Sequence, residues 1–214
     1  MTYLEFVEGP LWNVAATVFV VGVVWKLVGL IRFGRKTDIS IPRGSASGGA
    51  IRAILLHFVP HGGFMKKTLF HFVNGYVLHL GLAALLFAAP HIVFLRDHVL
   101  FGLDWPAMPS WGFWAAGAAV IGSLLLVGVH RKIDKVTRFI SDGGDRLVYW
   151  LTLIVLVTGC MAMGEGSPLL RALHMMFVDF WLIVFPFSRM MHAFTFVLTR
   201  GYMGATFGRR GVTP

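Results

Sequence analysis

Nine histidines are the side chains best able to do chemistry in this 214-residue chain, and helix geometry singles out four of them. His174 and His192 are 18 positions apart. In a helix that is five full turns and about 27 Å, so both lie on one face at opposite membrane depths. His71 and His79 are eight apart, about 12 Å along a helix axis and about 80° around it, and can both look into a helix bundle. Two helices that each offer two inward imidazoles, one nearer each surface, meet the needs of two stacked haems with two axial histidines per iron. Any one intramembrane histidine taken alone is more often an interhelical hydrogen bonder. As a set of matched depth, without acidic residues at metal-ligand spacing, the four favour haem over zinc or non-haem iron, which more often take carboxylate or cysteine ligands.

Residues so placed need helices that cross a bilayer, and the composition supplies them. The chain is 57% hydrophobic and 14% charged, with a mean hydropathy of +0.74, far from an average soluble domain. Five stretches, about 11–31, 68–95, 110–130, 147–164 and 170–198, reach the roughly 20 apolar residues that a bilayer core requires. Backbone groups in lipid must be satisfied internally, which makes these stretches helices. The expected fold is an all-α integral membrane protein, a five-transmembrane-helix bundle forming a single domain over residues 1–214. Pro186 is expected to bend the last helix, because it removes a backbone hydrogen bond.

Charge placement gives the expected topology. Of the 19 lysines and arginines, seven lie between Arg32 and Lys67, five between Arg131 and Arg146, and three (Arg200, Arg209, Arg210) follow the last run. The opposite loops hold only Arg96 and Arg171. The positive-inside rule then puts the N-terminus outside and the C-terminus in the cytoplasm. The net charge of +9 reads as topology and anionic-lipid contact, with no nucleic-acid partner expected. The N-terminus, MTYLEFVEGP, lacks a basic region, so the first helix is expected to be retained. Cys160 is a lone thiol and cannot hold an iron–sulfur cluster, attach a c-type haem or close an internal disulfide, so any iron–sulfur chemistry belongs to a partner. After the linker-like Gly44–Gly49, AIRAILLHF (50–58) is expected as a short surface helix, either a connector touching lipid or a docking element.

Several of these stretches resemble a known family, the gamma subunit of respiratory nitrate reductase and its relatives in sulfite-reductase-linked and heterodisulfide-reductase-type membrane complexes. FPFSRMMH (185–192) looks like that family's last-helix motif, and LHMMF (173–177) like its upstream histidine, with the same 18-residue spacing. LFH (69–71), a later PH (90–91) and TRFISDGGDRLVYWLTL (137–153) extend the resemblance over nearly the whole chain. The resemblance implies a five-helix prokaryotic inner-membrane cytochrome with two b haems. Such a subunit passes electrons between quinone and a cytoplasmic-side iron–sulfur subunit. Carried over, His192 with His71 would hold the haem nearer the cytoplasm, and His174 with His79 the outer one.

Two departures bear on that reading. The nitrate reductase pattern spaces the second-helix histidines ten apart, whereas position 81 here is Gly81, so His79 fits with a two-residue deletion or a local bulge. The outer segment LRDHVLFGLDWPAMPS (95–110) lacks the lysine of the nitrate reductase quinol site, leaving Arg96 and His98 as the candidate quinone contacts. This departure and the short GEGSPLLR loop favour the relatives that pair with a heterodisulfide-reductase-like iron–sulfur protein over a nitrate-reductase-beta-like one. In those relatives a periplasmic multihaem cytochrome c can replace or supplement quinone.

Other groups are weighed by position. Arg189, three residues before His192, is read as the counter-ion of a haem propionate or as a hydrogen bonder to helix-end carbonyls. Lys26 could serve a propionate likewise or snorkel to headgroups. Asp179 is about 140° from His174 and is not expected to be a ligand. His91 points away from His71, His61 falls in a loop, and His57, His98 and His130 lie near helix ends, where histidines need no special role. The rival reading from another class is a haem-free membrane anchor or transporter subunit.

Overall fold

Short polar residues and prolines decide where the helices of this chain start, bend and stop. The structure is a computed structural model, and it describes residues 1–33, 38–59, 63, 65–89 and 105–212. Thr2 starts α1 (Tyr3–Phe6) through a capping box with Glu5. Pro10 has no N–H to give and is taken up in a wide π turn, Val7–Leu11, after which the helix continues as α2 (Trp12–Phe33). There follow α3 (Ala46–Leu56), α4 (Met65–Ala88), α5 (Ser110–Ile133), α6 (Lys135–Ile140), α7 (Gly143–Glu165), α8 (Pro168–Val184) and α9 (His192–Arg209). Every regular element among the described residues is helical. Five spans are long and apolar enough to cross a membrane: Tyr3–Arg32, Thr68–Ala88, Ser110–Ile133, Gly143–Met163 and Pro168–Phe187. The chain is thus an all-helical, multi-pass membrane protein by length and composition.

The fifth span differs from the expected bent helix. Between α8 and α9 lie two separate 3-10 turns, Phe185–Phe187 and Arg189–Met191, joined by Ser188 in extended conformation (φ −119°, ψ 178°). Pro186 cannot donate, and its ring crowds the preceding turn. The Ser188 hydroxyl then replaces backbone pairing at the break, accepting from the Met190 N–H at 3.2 Å and donating to the Phe185 carbonyl at 3.1 Å. In the second expected run, residues 90–95 lie outside the described residues, and the described helix, α4, reaches Ala88. Carbonyls at its end accept from the Trp105 indole (Phe87, 2.5 Å) and from the Met108 N–H (Ala88, 2.6 Å).

Backbone contacts divide the chain into two compact units, Met1–Leu69 with Val178–Pro214, and Phe70–Phe177. In the first, α2 meets the 3-10 break closely: a Cβ on Gly22 would lie 2.6 Å from the Pro186 ring. Phe19, Phe185 and Phe194 stack edge to face around this contact, with centroids 5.2–5.9 Å apart. In the same unit α3 runs antiparallel to α9. Gly44 lies against Gly208, Gly49 against the Gly204 carbonyl, Ile54 against Gly201, and His57 and Phe58 against Phe196. The hairpin is tied at its far end by the Arg43 N–H to the Arg209 carbonyl (2.7 Å), the Arg209 guanidinium to the Ser40 carbonyl (2.9 Å) and an Arg210–Asp38 ion pair (3.1 Å).

The second unit is held by side chains. Leu85, Ala89, Phe113, Val120, Leu124 and Leu156 form its buried core, from α4, α5, α7 and the residue after α4. A buried polar clamp joins α4 to α5. The Asn74 amide donates to the Ser123 carbonyl (3.1 Å), and the Ser123 hydroxyl lies within reach of the Asn74 carbonyl (2.9 Å) and Oδ1 (3.0 Å). The α5–α6–α7 turn is set by acidic caps: Asp134 caps α6 through Thr137, Asp142 and Asp145 form a capping box, and Arg131 pairs with buried Asp145 at 3.5 Å. These contacts explain the TRFISDGGDR stretch as a turn built from caps.

Candidate functional site

Histidines that ligate a metal almost always have the ring held by a hydrogen bond on one nitrogen, and that anchor decides which nitrogen remains for the metal. His79, on α4, hydrogen-bonds through Nδ1 to the Gly75 carbonyl one turn back, at 2.7 Å. His192, the first residue of α9, bonds through Nδ1 to the Arg189 carbonyl, also at 2.7 Å. A carbonyl only accepts, so each neutral imidazole carries its proton on Nδ1 and its lone pair on Nε2. His174, on α8, reaches the Thr158 hydroxyl of α7 through Nδ1 at 3.2 Å. Thr158 gives its own proton to the Ile154 carbonyl at 2.7 Å and so accepts from His174, which places that lone pair on Nε2 as well. Gly159 lets the His174 ring lie against α7, since a Cβ there would be 3.0 Å from its Cε1. Three of the four candidate ligands therefore share one tautomer, the one that binds a metal through Nε2.

His71 is held differently. Its ring stands edge-on to His130 of α5, with centroids 4.7 Å apart, and Phe70 stacks on both rings at 5.5 and 5.0 Å. Sequence reasoning set His130 aside as a helix-end histidine. The signal that could have found it is positional, because His71 stands at the start and His130 at the end of two sequential apolar helices, which neighbours of antiparallel run bring level.

The clamp on Asn74 also fixes which way α4 faces. Gly81 lies on the α5 side, and a Cβ on it would strike Val120, which is fully buried. Position 81 therefore cannot carry a histidine directed away from α5, whereas His79, two residues earlier, is exposed. His71, His79 and His174 belong to the second compact unit, and His192 with Arg189 to the first. Arg189 is exposed, and it is its main-chain carbonyl that orients His192. Arg96 and His98, the quinone candidates, lie outside the described residues, as does His91. Among the described residues no three His, Cys, Asp or Glu side chains come together as a metal cluster. A haem iron with two axial imidazoles needs no such cluster.

Asp179 is the residue whose environment the sequence reading did not foresee. It is fully buried in the fifth span, and neither carboxyl oxygen has a hydrogen-bond partner among the described residues. Its position within an apolar run is the signal that marks it, since acidic residues at membrane depth are rare.

No protein-family profile matches the chain, and no solved structure matches it. It is similar to a protein of Nitratidesulfovibrio vulgaris, strain Hildenborough, with 27% identity over 220 residues, spanning 96% of this chain and 94% of that relative.

Proposed function

We propose that the chain is a di-haem b subunit of a respiratory redox complex in the prokaryotic inner membrane, with its N-terminus outside and its C-terminus in the cytoplasm. It would carry electrons across the bilayer between quinone, quinol or a periplasmic multihaem cytochrome c and a cytoplasmic-side iron–sulfur subunit. The observation that carries the reading is the shared Nδ1 anchoring of His79 and His174 within apolar spans and of His192 at the start of α9, just beyond the end of the fifth span. A ring fixed by a carbonyl or hydroxyl on one nitrogen and directed through the other is how proteins present axial imidazoles. The lopsided placement of basic residues supports the orientation, and the resemblance of FPFSRMMH and LHMMF to the nitrate reductase gamma family supports the pairing of His192 with His71 and of His174 with His79.

Bound haem would supply the one-electron chemistry, while this chain supplies ligands, orientation and insulation from water. The Gly75 and Arg189 carbonyls and the Thr158 hydroxyl would hold the imidazoles at one rotation and raise their basicity toward iron. Arg189, just past the end of the fifth span, is assigned to a haem propionate, whose carboxylate its guanidinium would pair with.

Pyridine haemochrome analysis of the purified chain should give two b haems per polypeptide. Less than one, or a flat visible spectrum, would instead leave a haem-free membrane anchor. His192→Ala and His71→Ala should each remove the same haem in a redox titration, and loss of different haems would break the pairing.

A further inference from the structure

Within the first compact unit, the 3-10 break of the fifth span leaves a cleft of about 550 Å3 against α2. Gly29 is part of its lining, and a Cβ there would meet nothing within 4 Å. Its rim carries two aromatic rings that stand well out of the protein, Trp25 (74% exposed) and Phe187 (68%). Its lining includes one cation, Lys26, and the hydroxyls of Ser188, Thr195 and Thr199, of which Ser188 already donates to the Phe185 carbonyl and accepts from the Met190 N–H. Among the described residues no acidic side chain lines the cleft and Lys26 has no ion-pair partner. Lys26 stands six residues before Arg32, about 9 Å up the helix from the end of the first span. A lysine at that depth in an apolar helix calls for an anion beside it.

The hydrogen-bond inventory of the cleft narrows what that anion is. Thr195 gives its hydroxyl proton to the Met191 carbonyl (3.1 Å), and Thr199 gives its own to the Thr195 carbonyl (3.0 Å). Both oxygens therefore present lone pairs and ask for donors, while the Lys26 ammonium is donor only. A quinone or a haem propionate brings acceptors alone and would meet only half of this set. A phosphodiester with a hydroxyl-bearing headgroup meets both halves, the phosphate on Lys26 and the headgroup hydroxyls on Thr195 and Thr199. The volume holds a headgroup and glycerol backbone, and the exposed Trp25 and Phe187 rings lie where acyl chains would leave. We propose that this cleft is a specific site for an anionic glycerophospholipid of the phosphatidylglycerol type.

Native mass spectrometry of the full chain, purified in mild detergent, tests the site, with titrations of phosphatidylglycerol, phosphatidylcholine and inorganic phosphate. Wild type should retain one phosphatidylglycerol, preferred about tenfold over phosphatidylcholine and not displaced by inorganic phosphate. Lys26→Met should lower retention about tenfold. Gly29→Phe, which fills open space and meets no neighbour at its Cβ, should abolish it while leaving helix content unchanged. Equal retention in both variants would place the lipid elsewhere and overturn the proposal, as would displacement by inorganic phosphate or a Lys26-dependent quinone in place of phospholipid. Loss of haem absorbance in Lys26→Met with lipid retained would assign Lys26 to a propionate and likewise overturn it.

Discussion

The hairpin of α3 on α9 and the contact of α4 with α5 both join two helices side by side, yet they are sealed by opposite means. In the hairpin the backbones themselves touch: Gly49 meets the Gly204 carbonyl and Gly208 the Ser45 carbonyl, with no side chain between. Between α4 and α5 the seal is made by side chains, the Asn74–Ser123 clamp and the packing of Val120 and Leu124 in the core. Small residues let helices approach closely enough for dispersion and backbone dipoles to act, but such a contact tolerates no added atom. Interlocked side chains can repack around a small loss. The opposite face of α3 carries Ile51 (60% exposed) and Leu55 (62%), while small residues, with Ile54, face α9.

The largest effect should therefore come from adding atoms to the hairpin. In Gly204→Leu the new Cβ runs into the Gly49 carbonyl and the Ala53 methyl, neither of which can rotate away. Overpacking of this kind costs about 1–3 kcal/mol and more where only backbone can move. Amide hydrogen exchange over residues 46–56 should rise sharply while that of α5 stays unchanged. Protection of α3 equal to wild type would show that the glycine seal is not closed. A smaller effect is expected in the other region from Ser123→Ala, which takes the hydroxyl donor away from Asn74 Oδ1 at nearly constant volume. Buried hydrogen bonds between membrane helices are worth about 0.6–1.7 kcal/mol, so the SDS-unfolding midpoint should fall modestly. No fall would mean that the core packing alone joins α4 to α5.

These two regions also differ in how far the sequence discloses them. Apolar length alone marks the five spans, because a membrane demands it and nothing in a soluble core mimics 20 such residues. The tautomers of His79, His174 and His192 are not legible in that way, since they depend on which carbonyl or hydroxyl lies one turn back or on the next helix. Helical spacing places His174 and His192 on one face only if the helix is unbroken, and the two 3-10 turns at 185–191 interrupt it. Pro186 announces a disturbance but not its extent, which Ser188 enlarges by bonding to its own backbone. The glycines of the linker-like stretch 44–49 read as flexibility, yet Gly44 and Gly49 serve close approach, which becomes visible only once Gly204 and Gly208 stand opposite them. A helix-end histidine such as His130 is ordinary on its own, and its edge-on contact with His71 is a property of the pair.

Acid should separate the two regions by the subtlest effect. In the hairpin, burial and the nearby Arg200 charge hold His57 below the usual imidazole value of 6.5. In the α5–α6 turn, the Thr137 hydroxyl and N–H hold Asp134 below the usual carboxyl value of 3.8. Both groups bind protons more readily when unfolded, so each contributes stability that is complete above its ordinary value and is lost as pH falls through the folded one. For His57 the loss begins below about 6.5, and for Asp134 only below about 3.8. Between pH 6 and 4.5, roughly the interval between those two onsets, the hairpin alone should loosen. Hydrogen exchange corrected for its intrinsic pH dependence should then rise over 46–56 and stay flat over 135–140. His57→Phe should remove the rise, because the ring can still meet Phe196 but has nothing to protonate. A rise that persists in that variant would assign the titration to another group in the hairpin, leaving the glycine seal intact but its pH response unexplained by His57.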